Sequence, residues 1–453
     1  MTALVRNILT PERLIPLSFL ALILAGTCLL LLPIATHAPI SPIDAFFTAT
    51  SATCVTGLVV VDTGSVFTGF GQAVILALIQ LGGLGIMTLS IAFLYMVAGR
   101  VSLFNREVLE MSVFQGPMKG LLPLLLHVLR ITLWIEAAGA LLLTWRFHQC
   151  MPLGDALYSG VFHSISGFCN AGFSLYPDSM SAWREDPLTN AILMALIVLG
   201  GLGFLVLSEL WSWWRSGRQQ PLSLTARLVV FTSIGLIVFG ALGVLASEWH
   251  NVLDIRDWSD LPGALLESLF LSVSSRTAGF NTLPMDGLTE PTYLGLVLLM
   301  LVGASPASCG GGIKTTTLIV LLAHLRSRFL DQRDTVIGNR RIPESIVSRS
   351  VSITIFSLLV VMAGTLLLLS TEGQGVALKE GSELFLKTTF EAVSAFATVG
   401  LSTGLTADLA AFSKAVLILL MFIGRVGPLA LALAIGRRRR PEWRLASENV
   451  MVG

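Results

Sequence analysis

The sequence predicts an all-α membrane protein. It is read as four helix–pore-loop–helix repeats around one pseudo-fourfold pore, with eight transmembrane helices and four re-entrant pore helices. Three observations carry this. First, the 453 residues are 54% apolar and only 13% charged, with a mean hydropathy of +0.80; a soluble protein carries roughly 25% charged residues. Too few charges remain to clothe a soluble enzyme, a nucleic-acid binder or a disordered chain. Second, eight stretches reach the roughly 20 apolar residues that cross a bilayer core: 14–33, 70–98, 121–145, 188–214, 224–247, 292–325, 346–370 and 410–436. Four shorter stretches alternate with them, at 43–56, 153–171, 262–278 and 382–399. Third, the ends of the short stretches share one pattern.

The elements follow in order. The opening run from Leu14 to Leu32 is too long for a signal-peptide core and lacks a small-residue cleavage site, so it is expected to be a retained helix. Residues 1–99 form repeat 1 (pore loop 43–58), 100–214 repeat 2 (153–173) and 215–325 repeat 3 (262–280). Residues 326–453 form repeat 4 (382–401) and a cytoplasmic tail. The short stretches end SATCVTGL, SGFCNAGF, VSSRTAGF and SAFATVGL, with glycines at Gly57, Gly172, Gly279 and Gly400. Ten residues before each stands a large apolar residue: Phe47, Phe162, Leu269 and Phe390. A second mark follows 24 to 28 residues later: Gly82-Gly83-Leu84-Gly85, Gly200-Gly201-Leu202-Gly203, Gly303-Ala304-Ser305-Pro306 and Gly424-Arg425-Val426-Gly427. Small residues alone could serve helix packing. Two marks in step, four times, point instead to an internal repeat.

Charge sets the expected orientation. Loops between repeats and the two termini hold 19 Lys and Arg, whereas the loops flanking the short stretches hold six. Both termini are therefore expected on the cytoplasmic side, with the short stretches entering from outside. A net charge of +1 suggests no nucleic-acid partner. Five cysteines, an odd number without CxxC, read as free buried thiols, and the six histidines show no metal spacing.

Non-helical backbone at membrane depth is tolerated only inside protein or along a water-filled path. Four re-entrant loops should therefore converge on one axis. Their helix C-termini are partly negative and favour a cation, and the carbonyls beyond them can replace an ion's hydration shell. The candidate filter is Val55-Thr56-Gly57, Asn170-Ala171-Gly172, Thr277-Ala278-Gly279 and Thr398-Val399-Gly400. Glycine fits where the backbone must turn without a side chain in the path. No ring of Asp or Glu is present, which suits a monovalent cation better than calcium. Arg276, three residues before Gly279, is expected to point into the protein behind the filter.

Two features read as a gate. As one helix, 292–325 would reach roughly 51 Å at 1.5 Å per residue, and it contains Gly303, Ser305, Pro306, Gly310, Gly311, Gly312 and Lys314. Pro and three consecutive glycines make a break over 303–317 the sharper reading. The G-x-x-x-x-G-K-[ST] spacing of a phosphate loop is absent. Arg425 stands near the middle of 410–436, where a cation costs at least roughly 2.5–3.5 kcal/mol. It is read as a positive barrier inside the filter, or as bonded to Glu209 or to carbonyls of the 303–317 loop.

The four filter segments, the glycine-rich break and Arg425 together resemble the Trk/Ktr/HKT superfamily of potassium transporters, over nearly the whole chain. With eight spans and no extra leading helix pair, the chain is most similar to the Ktr-type membrane subunit. The resemblance implies K+ uptake at a bacterial inner membrane, a homodimer, and a cytosolic KtrA-type nucleotide-binding ring, so that nucleotide sits only on a separate subunit. It leaves channel-like and Na+-coupled transport both open. Gly57, where some HKT members carry Ser, favours K+. Asn170 and Arg276 depart from a strict TVGYG, which keeps a sodium or non-selective monovalent cation channel or symporter of the same fold as the alternative. Competing classes are weaker. A membrane hydrolase would need a pair such as His163 with Ser164 or Ser166. A solute carrier would show inverted halves.

Overall fold

The computed structural model describes residues 11–85, 121–217, 221–374 and 381–427. Residues 86–98 and 428–436 of the expected spans 70–98 and 410–436 lie outside the described residues, as do Arg6, Arg100, Arg106, Lys119, Arg218, Lys379 and the tail Arg437–Arg440 with Arg444.

The described chain is mostly helical. The first helices are α1 (Pro11–Leu30), α2 (Pro42–Cys54), α3 (Gly69–Gly83), α4 (Leu121–Phe147) and α5 (Leu153–Phe168). Next come α6 (Pro187–Leu202), α7 (Phe204–Arg215), α8 (Leu224–Ser247), α9 (Leu261–Ser274) and α10 (Glu290–Leu301). Then follow α11 (Thr315–Phe329), α12 (Glu344–Glu372), α13 (Gly381–Ala397) and α14 (Ala411–Val426). A two-residue hairpin, β1 (Val336–Ile337) with β2 (Arg340–Arg341), joins α11 to α12 and pairs Val336 with Arg341. Helix starts obey capping chemistry. Ser41, Asp186 and Ser223 accept the N–H of Asp44 (3.2 Å), Thr189 (3.3 Å) and Ala226 (3.1 Å). Pro42 and Pro187 occupy first-turn positions that need no donor.

Among the described residues, three helices are long and apolar enough to cross a membrane: Leu126–Phe147 within α4, α8 and α12. The expected span 188–214 is not continuous. Gly203, at φ 91°, ends α6 and opens α7, and the two helices are bent by 105°. The expected stretch 292–325 is likewise two helices, α10 and α11, and the break expected over 303–317 is 302–314, because Thr315, Thr316 and Thr317 already open α11.

One packing contact recurs four times. Gly26 of α1, Gly139 of α4, Gly240 of α8 and Gly364 of α12 each meet a leucine, respectively Leu78, Leu196, Leu299 and Leu420. A Cβ on those glycines would stand 2.6, 2.8, 2.7 and 2.7 Å from the leucine side chain. Each leucine lies one turn before the first residue of the second sequence mark. Absent side chains let the two helices close up there. Phe47, Phe162 and Phe390 fill the core beside α2, α5 and α13. In α9 the expected Leu269 is only half-buried, and Phe270 takes the place. The segment from α9 to Gly279 has one residue fewer than its counterparts, which shifts the register.

Candidate functional site

The tips beyond α2, α5, α9 and α13 repeat one backbone conformation. Val55, Asn170, Thr277 and Thr398 are left-handed, at φ 56°, 59°, 74° and 51°. Two residues on, Gly57, Gly172, Gly279 and Gly400 are left-handed again, at 93°, 69°, 78° and 93°. Thr56, Ala171, Ala278 and Val399, between them, are not. Their N–H groups donate back to the carbonyls of Ser51 (2.8 Å), Ser166 (2.7 Å), Ser274 (2.9 Å) and Ser394 (2.9 Å). Alternating dihedral signs rotate successive peptide planes so that their carbonyls face one side. A β-branched residue in the left-handed region costs of order 1–3 kcal/mol and persists only where its surroundings enforce it.

The four tips form a closed ring. A Cβ on Gly57 would stand 2.5 Å from the carbonyl oxygen of Ala171. One on Gly172 would stand 2.6 Å from that of Ala278, and one on Gly279 2.5 Å from that of Val399. Gly400 closes the circuit against the carbonyl oxygen of Thr56. All twelve expected filter residues are buried and come together here.

Sequence reasoning missed the serines that hold the tips. Ser51 Oγ accepts the N–H of Gly57 (3.1 Å), and Ser394 Oγ accepts that of Gly400 (3.1 Å). Ser166 Oγ donates to the carbonyl of Phe173 (2.8 Å), and Ser274 Oγ to that of Phe280. The signal was available, because a serine opens three of the four segments.

The second marks lie directly behind the tips. Gly82, Gly200 and Gly424 face the carbonyls of Thr53, Phe168 and Phe396, each four residues before a tip glycine. Gly85, Gly203 and Gly427 then take φ 87°, 91° and 92°. The third mark departs from this: Gly303 faces the carbonyl of Gly311, inside its own segment.

Segment 302–314 is bonded to its surroundings throughout. Ser305 and Cys309 donate their N–H to the carbonyls of Gly201 (3.1 Å) and Gly200 (3.3 Å), and Phe204 N–H reaches the carbonyl of Ala307 (3.0 Å). The Pro306 carbonyl faces Gly203. Thr315 Oγ1 donates to Ser305 Oγ at 3.0 Å. Gly310 lies against Thr277 Oγ1, and the N–H of Gly311 donates to Thr398 Oγ1 (3.0 Å). Gly312 is left-handed at φ 68° and packs on Gly303. Lys314 Nζ curls back to the carbonyls of Gly310 (2.6 Å) and Gly311 (3.4 Å). Arg425, buried, donates to the carbonyls of Cys309 and Gly82.

Four further expectations resolve. Glu209 does not meet Arg425: its carboxylate accepts the N–H and hydroxyl of Ser223, which caps α8. Arg276 turns behind the tips to the carbonyl (3.2 Å) and hydroxyl (3.4 Å) of Ser233. His163 pairs with neither Ser164 nor Ser166. Its ring nitrogens lie 2.8 Å from the Ser159 carbonyl and 3.0 Å from Ser174 Oγ, and the ring stacks on Tyr176. All five cysteines are free, but Cys28 and Cys150 are exposed. Among the described residues no cluster of His, Cys, Asp or Glu could hold a metal ion.

The site is thus a buried ring of backbone carbonyls, closed by four glycines in an apolar helical frame. Residues 10–438 match the family model of TrkH, described as a cation transport protein, and the chain belongs to that family. It is 36% identical to Ktr system potassium uptake protein B of Bacillus subtilis, covering 98% of this chain and 97% of that one. It is also 36% identical to the protein of the same name from Vibrio alginolyticus, covering 97% and 94%. The potassium transporter TrkH of Vibrio parahaemolyticus shares the fold, with a TM-score of 0.69 at 20% identity over 93% of this chain and 83% of that one.

Proposed function

We propose that the chain is the K+-translocating subunit of a bacterial potassium uptake system. The observation that carries this is the closed circuit of tip glycines and carbonyls, in which Gly57, Gly172, Gly279 and Gly400 each stand against the next tip. A dehydrated monovalent cation binds such carbonyls without any acidic side chain. The tips then belong to four pore loops, in repeats 1–99, 100–214, 215–325 and 326–453, around one pseudo-fourfold pore crossed by eight transmembrane helices. The names of its relatives support potassium as the cargo.

Segment 302–314 acts as the gate. It is bonded to Thr398 of the filter and, through Arg425, to α3 and α14. Arg425 and Lys314 add positive charge beneath the filter, holding cations in it and limiting leak. A homodimer in the inner membrane, with both termini cytoplasmic, receives a KtrA-type nucleotide-binding ring on its cytosolic face. The decisive experiment is rubidium uptake in a potassium-uptake-deficient host, with Na+ and Li+ as competitors. Uptake that resists both ions supports the reading. Absence of uptake by correctly inserted protein, or equal competition by Na+, overturns potassium as cargo.

A further inference from the structure

Arg276 occupies a place that the transport reading does not use. Its side chain is buried at 9% exposure, although a guanidinium carries five N–H donors. The contacts it makes are the two to Ser233, and its Nε has no hydrogen-bond partner among the described residues. No carboxylate of the described residues lies within 4.0 Å of it; the ion pairs present engage Arg146, Arg184, Arg256, Arg341, Lys387 and Lys414 instead. A buried guanidinium without an anionic partner is among the most unfavourable arrangements in a protein. It also stands three residues from Gly279, where uncompensated positive charge opposes a cation in the ring.

Beside this side chain lies a partly open pocket of about 20 Å³, walled by Arg276, Ser233, Ile197, Val198, Ile237 and Val273, with Gly201 of α6 and Ala304 of segment 302–314 at its edge. That volume takes one water-sized particle. A water there would find partners in the Arg276 Nε–H and the Ser233 hydroxyl, but it is neutral and would leave the buried charge uncompensated. A polyatomic anion such as phosphate exceeds the volume. A monatomic anion fits the size and supplies the missing negative charge. We infer that the cavity between α6, α8 and α9 is a halide site, in which a chloride ion pairs with Arg276 and neutralises it behind the filter.

The test reads anion occupancy rather than cation flux, so it stands or falls apart from the proposed cargo. The full-length protein is purified in bromide, its structure is determined with anomalous data at the bromine edge, and its thermal unfolding is followed as gluconate is replaced by chloride at constant ionic strength. The expected result is one bromide peak beside Arg276. The unfolding temperature should rise saturably, by about 2 °C at ten times the dissociation constant. Arg276→Gln should abolish the rise, and Val198→Phe, which fills the cavity and leaves the guanidinium in place, should do the same. Should Arg276→Gln fail to fold, the bromide map and Val198→Phe decide. No bromide at Arg276 in a map that orders bromide elsewhere overturns the inference, as does a chloride effect that survives Val198→Phe.

Discussion

The guanidinium of Arg425 donates to the backbone carbonyl of Cys309, tying α14 to the middle of segment 302–314. A second donation, to Gly82, ties both to the end of α3. Arg425→Ala leaves the buried carbonyl of Cys309 without its donor, at about 1–3 kcal/mol, and removes one of the donors to Gly82. Thermal stability should fall and the segment should loosen. The expected outcome is faster rubidium uptake with K+ preference over Na+ retained, measured in inserted protein. Slower uptake would count against a barrier at this position.

Removing Gly310 to Gly312 deletes the part of the segment that touches Thr277 and Thr398. Uptake should accelerate while ion preference persists, because the filter carbonyls remain. Unchanged flux in folded, inserted protein would rule out this segment as the gate.

A serine at Gly57, Gly172, Gly279 or Gly400 places a Cβ against the neighbouring carbonyl oxygen, in a backbone region that L-residues avoid. Preference for K+ over Na+ should weaken. A change of about 1.4 kcal/mol in relative ion binding is tenfold, and competition of rubidium uptake by Na+ reads it directly. Wild-type competition in all four variants would remove the ring from the ion path.

Ser51→Ala and Ser394→Ala each leave a tip glycine N–H without its acceptor. The cost of such an unpaired buried donor is about 1–3 kcal/mol. Both variants should lose ion discrimination, and Ser51→Thr should restore part of it. A drop in stability with discrimination intact would make these serines purely structural.

The hairpin β1–β2 projects basic residues between α11 and α12, with Arg341 paired to Asp334 at 2.9 Å. Neutralising Arg326, Arg328, Arg340 and Arg341 together should abolish co-purification of the cytosolic regulator and keep basal uptake. Intact binding and intact nucleotide response would refute docking at this hairpin.

The tip glycines and the break before Lys314 were legible because both rest on residue types with few other uses, Gly and Pro in apolar runs. The left-handed Val55, Thr277 and Thr398 were not, since β-branched residues normally avoid that region and only the closed ring imposes it. The bend at Gly203 was read as part of a span, because GGxG serves close packing and helix termination alike. Leu269 was aligned one position early. A single missing residue leaves hydrophobicity unchanged and appears only in the bond from Ala278 to Ser274. Glu209 had the right charge for Arg425 but is engaged at the start of α8.

The ring of tips runs in one direction, from Gly57 to Gly172, Gly279, Gly400 and back to Thr56. In an assembly of identical subunits, one codon change would alter all four quarters at once. Here each quarter has its own codons, and Val55, Asn170, Thr277 and Thr398 already differ at a common position. On the proposed reading, a substitution at one tip therefore alters a single quarter of the ring and leaves the other three as they are.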